Sequence, residues 1–171
     1  MPRQVVLLRA VNLGARNRIA MPAFREVLES VGCTDVKTYL QSGNAVVASR
    51  RTPASLAKAV ADALRSELDL SVGVLVRTAT ELDALVAGNA FPDVKDPKLL
   101  HALLLESATP DLSGLDVAPD RVAAGDRVVY VAYATSSQDS KAAKALGGKA
   151  FAGATARNWR TVLALQELAR G

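Results

Sequence analysis

The sequence predicts an α+β protein built from two packed ferredoxin-like units of β-α-β-β-α-β type, the second degenerate. Three observations predict it. Up to residue 76, apolar strand-like runs alternate with helical periodicity in the order β-α-β-β-α-β. The rest of the chain shows a looser mixture of strands and helices, closing on a helix. No low-complexity linker separates the halves, so the expected division is a ferredoxin-like unit over 1–77 and a second α+β unit with the C-terminal helix over 78–171. Half of the 171 residues are hydrophobic and 22% are charged, which excludes intrinsic disorder.

Each element has its own justification. From Arg3 to Arg9, the run Val5-Val6-Leu7-Leu8 is unbroken, as expected of a strand covered on both faces. Val11 to Ala20 is polar and loop-like. Pro22 suits a first helical turn, Phe24, Val27, Leu28 and Val31 follow at helical spacing, and Gly32 can close the helix in a left-handed conformation. Val36 to Gln41 is a strand, Ser42-Gly43-Asn44 a tight turn, and Ala45 to Ser49 the returning strand. Pro53 opens a helix carrying Leu56, Val60, Ala63, Leu64 and Leu68, and Val72 to Val76 is the fourth strand. Beyond it, Thr78 to Gly88 reads as helix and Leu99 to Glu106 as a strongly apolar strand. Residues 109–119 read as loop or short helix, and Arg121 to Ala134 as a hairpin turning near Gly125-Asp126. Ser137 to Leu146 is a helix that Gly147-Gly148 breaks, and Asn158 to Ala169 is the last helix.

Connectivity makes one positional prediction. In such a unit the first and second strands run in the same direction, so the loop after strand one and the hairpin after strand two lie at one end of the sheet. Asn12 to Arg18 and Ser42 to Asn44 should therefore be neighbours.

Charge is unevenly spread within a net of +4. Residues 1–51 carry +5, 52–140 carry −6 and 141–171 carry +5. Two basic ends suggest a negatively charged partner if they meet in space. The plainer account is that they attract the acidic middle.

The candidate chemistry follows the basic ends. The first loop holds Arg9, Asn12, Gly14, Arg16, Asn17 and Arg18. Asn and Gly tolerate a left-handed backbone that can cradle an anion, and Arg offers planar donors to phosphate or carboxylate. A solvated loop with self-satisfying Asn side chains is the plainer alternative. The hairpin adds Gln41, Ser42, Gly43 and Asn44, which matter only through their nearness to that loop. At the other end Thr155 to Thr161 opens the final helix, with Arg157, Asn158, Arg160 and Thr161. Two arginines at a partly positive helix start are unfavourable unless an anion, or an acidic side chain, sits there. Trp159 shares an apolar face with Val162 and Leu163 and reads as core.

Other chemistry finds little footing. Ser140-Lys141 gives at most a weak catalytic candidate in Lys141, since adjacent helical residues point apart. His101, the sole histidine, lies in an apolar strand, and Cys33, the sole cysteine, reads as a buried structural thiol. Gly148-Lys149 lacks the rest of a phosphate-binding loop. Metal-ligand spacing is absent, no cofactor is expected, and no stretch suits a bilayer span or a signal peptide. A reducing cytoplasm is the simplest compartment. RNA-recognition domains of this topology stack bases on aromatic residues of the central strands, but Val5 to Leu8 and Ala45 to Ala48 contain none. Backbone-directed binding through arginines stays open.

Four motifs carry a resemblance along essentially the whole chain. They are Leu8-Arg9-Ala-Val-Asn12-Leu-Gly14-Ala-Arg16-Asn17, Thr38-Tyr-Leu-Gln-Ser-Gly-Asn44, Ser140-Lys141, and Thr155-Ala-Arg-Asn-Trp-Arg-Thr161. In order and spacing the chain resembles the bacterial domain of unknown function family 1697. Ala10 and Ala15 stand where that family's pattern often has glycine. The resemblance implies a two-part α+β fold related to tandem ferredoxin-like units and a cytoplasmic bacterial protein, with no established activity. The expected function is binding of a phosphate-bearing ligand, nucleotide or nucleic-acid backbone, in a basic Asn/Arg-lined cleft. An enzyme acting on a small anionic metabolite, and a scaffold or oligomerisation domain, are the alternatives.

Overall fold

The computed structural model describes residues 1–171. Its elements are β1 (Arg3–Leu8), α1 (Met21–Ser30), β2 (Thr34–Tyr39), β3 (Asn44–Ala48), α2 (Pro53–Leu68), β4 (Val74–Thr78), α3 (Ala79–Ala87), β5 (Leu100–Leu104), β6 (Arg121–Gly125), β7 (Val128–Ala132), α4 (Lys141–Ala145), β8 (Thr155–Asn158) and α5 (Trp159–Arg170). They form a mixed α+β fold with two four-stranded antiparallel sheets. The chain divides into two compact units, Met1–Asp83 with Leu165–Gly171, and Ala84–Ala164.

In the first unit the strand order is β2-β3-β1-β4. Strand side chains alternate between faces. Val6 and Leu8 join Ala45, Val47, Val74 and Val76 against Phe24, Val27 and Leu28 of α1 and Leu56, Val60 and Leu64 of α2. Burying each large apolar side chain there contributes about 1.5–3 kcal/mol. Val5, Leu7, Val46 and Leu75, on the opposite face, are buried as well. That is why residues 5–8 are apolar without alternation, and it closes the sheet face to base stacking. The helices end where local chemistry says they should. Thr52 caps α2 by accepting from the Ser55 amide, and α1 gives way to Gly32 at φ +92°.

The second unit has the order β6-β7-β5-β8. Leu103, Leu105, Val129, Val131 and Tyr133 pack with Ala142, Leu146 and Phe151. Register relates it to the first unit residue by residue. Val5 lies opposite Val46 and Arg77, and Ala102 lies opposite Tyr130 and Arg157. Thus β5, β7 and β8 correspond to β1, β3 and β4. Where the first unit has α1, residues 105–120 form turns without an α-helix.

Two expectations need correction. The helix read over 137–146 is only Lys141–Ala145, because Ser140 is its cap, accepting from the Ala143 amide 2.9 Å away. The segment from Thr155, read as the start of the last helix, is instead β8, and α5 begins at Trp159. In β8 the buried side chains are Thr155 and Arg157 while Ala156 is exposed. Its polarity is inverted relative to an ordinary strand, so apolar alternation could not reveal it.

Candidate functional site, a basic loop braced on a hairpin

The end of β1 and the β2–β3 hairpin do meet, as connectivity requires. The Leu8 amide donates to the Gly43 carbonyl at 2.8 Å. Gly43 has φ +79°, and a Cβ there would stand 2.6 Å from Leu8 Cβ and 2.8 Å from Val11 Cγ2. Only glycine fits this approach.

Asn12 locks the loop to the hairpin. Its Nδ2 donates to the carbonyls of Gln41 at 2.6 Å and Ile19 at 2.9 Å, and its Oδ1 accepts from the Ile19 amide at 2.9 Å. Both amide hydrogens are thereby used within the chain, so Asn12 positions the loop. The backbone turns through left-handed residues at Ala10 (φ +55°), Asn12 (+55°), Gly14 (+73°) and Asn17 (+52°). Asn44 is buried and donates to the Tyr39 carbonyl at 3.0 Å and Ser42 Oγ at 2.8 Å, fixing the turn from inside.

The braced loop presents cations. Arg9, Arg16 and Arg18 lie on its exposed side, and no Asp or Glu occurs from residue 9 to 25. Arg16 and Arg18 form no ion pair. A cleft of about 450 Å³ opens between loop and hairpin, lined by Asn12, Arg18, Ile19, Ala20 and Gln41. Arg18, which lies just past the first motif and counts in the sequence only toward the loop's charge, is the arginine that lines it. Ile19 and Ala20 carry no sequence signal, since only the Asn12 brace brings them to the wall. Leu40 is a further surprise, exposed and left-handed at φ +57°.

The residues at 155–161 have another character. Arg157 is buried in β8, with Nη1 donating to Thr155 Oγ1 at 2.8 Å and to the Ala156 carbonyl at 2.9 Å. Desolvation lowers its pKa to about 10. Arg77, its counterpart in β4, is also buried and also turns Nη1 back to the preceding carbonyl, at 3.2 Å. The buried arginine is thus a feature of both units. Asn158 caps α5 by accepting from the Thr161 amide at 2.9 Å, and Thr161 is buried. Arg160 is exposed, and Trp159 is buried edge-on to Tyr130, as its apolar face anticipated.

The remaining candidates sit in ordinary structural roles. Lys141 Nζ lies 3.3 Å from Asp116 Oδ2, both side chains exposed. His101 packs edge-on to Tyr133 with ring centroids 4.9 Å apart, and burial lowers its pKa. Cys33 is buried, and desolvation raises its thiol pKa. No cluster of three or more His, Cys, Asp or Glu forms that could hold a metal ion, and no helix is long and apolar enough to cross a membrane.

The fold and site define a two-unit α+β protein whose first unit carries a basic loop braced on a hairpin. Residues 1–130 match the family model described as "Protein of unknown function (DUF1697)", and the chain belongs to that family. Its structure is similar to that of the conserved bacterial protein SP0830 from Streptococcus pneumoniae, with a TM-score of 0.78 and 18% identity over 98% of each chain. At that identity the likeness speaks for the fold alone. No curated protein matches the sequence significantly.

Proposed function

We propose that the first unit binds a phosphate-bearing ligand, a nucleotide or a nucleic-acid backbone, in the cleft between residues 9–20 and the 40–43 hairpin. The observation that carries this reading is a contrast between equivalent places. In the second unit the Leu105 amide donates to the Arg127 carbonyl at 3.0 Å, and Thr109 Oγ1 donates to the Gly125 carbonyl at 2.7 Å. The first bond is the register equivalent of Leu8–Gly43, and the second, like Asn12–Gln41, ties the loop to the hairpin, here at the strand end that matches Tyr39. The brace therefore occurs in both units, but its counterpart loop carries Glu106, Asp111 and Asp116 in place of arginines. The fold needs a brace; it does not need Arg16 or Arg18. Unpaired guanidinium groups kept beside an open cleft suit an oxyanion.

Arg157 and Asn158 leave the contacting set on this reading, because their side chains serve β8 and the α5 cap. Lys141 and Ser140 are occupied by Asp116 and the α4 cap, which gives the enzymatic alternative no support. The strand order β2-β3-β1-β4, echoed as β6-β7-β5-β8, supports ferredoxin-like units, the second lacking its first helix.

The test is an amide-resolved NMR titration with inorganic pyrophosphate. Shifts should concentrate in 9–20 and 40–44, and Arg16→Ala with Arg18→Ala should weaken binding by about tenfold or more. Shifts confined to other segments, or a double variant binding like the parent, would contradict the proposal.

A further inference from the structure

Resting on that reading, we infer that the cleft takes a nucleoside monophosphate, with its phosphate on Arg16 and Arg18 and its base at Gln41 and Leu40. Gln41 is exposed at the cleft wall, its carbonyl is held by Asn12, and its side-chain amide has no partner within the chain. An amide presents a donor and an acceptor side by side. An ionised phosphate monoester has no O–H to give the acceptor, whereas a nucleobase edge pairs both.

Two leucines supply the apolar complement. Leu40 precedes Gln41 and is 56% exposed, and Leu13 follows Asn12 and is 70% exposed. They are the two most exposed large hydrophobic residues beyond Met1, and both adjoin cleft-lining residues in the chain. Leu40 is also held left-handed, a conformation that costs a leucine about 1 kcal/mol, and its side chain stays more than half exposed. Apolar surface, a paired donor and acceptor, and cations together match a base joined to a phosphate.

Size and surroundings favour a single nucleotide over a polymer. A cleft of about 450 Å³ falls in the range of small-molecule sites. Single-stranded nucleic acid would ask for a basic track with aromatic stacking platforms. Here the cations gather within ten residues, and the lining has no aromatic side chain.

Calorimetric titration of the full chain decides it, using the four ribonucleoside monophosphates, ribose 5-phosphate, inorganic phosphate and a twelve-residue oligothymidylate. At least one nucleotide should bind about tenfold tighter than ribose 5-phosphate. Gln41→Ala, at an exposed position, should erase that preference while leaving ribose 5-phosphate affinity within about threefold, as expected if only the base contact is lost. Nucleotides binding no tighter than ribose 5-phosphate would overturn base recognition and leave an anion site standing. Oligothymidylate outcompeting every nucleotide would overturn it in favour of a nucleic-acid backbone. Failure of every phosphate compound to bind, or indifference of all affinities to Arg18→Ala, would overturn the underlying site as well.

Discussion

The two units share strand order, register, a buried arginine one residue before the strand end, and a side chain that ties the loop to the hairpin. They differ in what the loop then displays. In the first unit the braced segment carries Arg9, Arg16 and Arg18 with no acidic residue among them; in the second, the corresponding stretch carries Glu106, Asp111 and Asp116. The first loop also leads into α1, and its hairpin is two residues longer than the Asp126-Arg127 turn. Comparing the halves separates what the fold requires from what it leaves available. Arg77 and Arg157 belong to the first class, Arg16 and Arg18 to the second.

The largest expected effect sharpens the comparison at the hairpins. Gly43 and Arg127 hold the same place before the returning strand, and both are left-handed, at φ +79° and +52°. Only at Gly43 would a side chain collide with Leu8, at the end of β1, and with Val11 beyond it. Gly43→Ala should lower the unfolding free energy by about 3 kcal/mol or more, combining strain with overpacking. Arg127→Ala keeps the strain already present and should cost much less. Urea unfolding of both variants checks this, and equal losses would break the correspondence.

A smaller effect concerns the braces. Asn12→Ala removes two donated bonds and one accepted bond and should cost about 2 kcal/mol. Thr109→Val removes a hydroxyl at nearly constant volume and should cost about 1 kcal/mol. Hydrogen exchange should show the 9–20 loop and 40–43 hairpin loosening together in the first variant. Loosening of the loop alone would mean that Asn12 does not couple them.

Much of this was legible from sequence where hydropathy and connectivity agree. The 5–8 run, the helices beginning near Pro22 and Pro53, and the nearness of Asn12 to the hairpin all follow from period, turn chemistry and strand direction. The loop's basic character was legible too, because three arginines in ten residues serve no turn. What escaped was polar burial. Arg157 looked like an anion-seeking cation because charge marks a residue as exposed until a strand pattern contradicts it, and β8 buries its polar residues while exposing its alanine. Leu40 escaped for the opposite reason, since nothing local forecasts an exposed, left-handed leucine. The roles of Asn12 and Asn44 as braces depend on partners seven to twenty-nine residues away or on the inner geometry of the turn, beyond what composition can assign.

The most direct measurement sets two arginines side by side. Arg18→Ala and Arg157→Ala should each be assayed for pyrophosphate affinity and for urea unfolding on the same preparations. Arg18→Ala should lose affinity about tenfold while its stability stays within about 0.5 kcal/mol of the parent. Arg157→Ala should lose about 3 kcal/mol of stability and, where still folded, bind pyrophosphate as the parent does. A folded Arg157→Ala that no longer binds, alongside an Arg18→Ala that binds normally, would contradict the account.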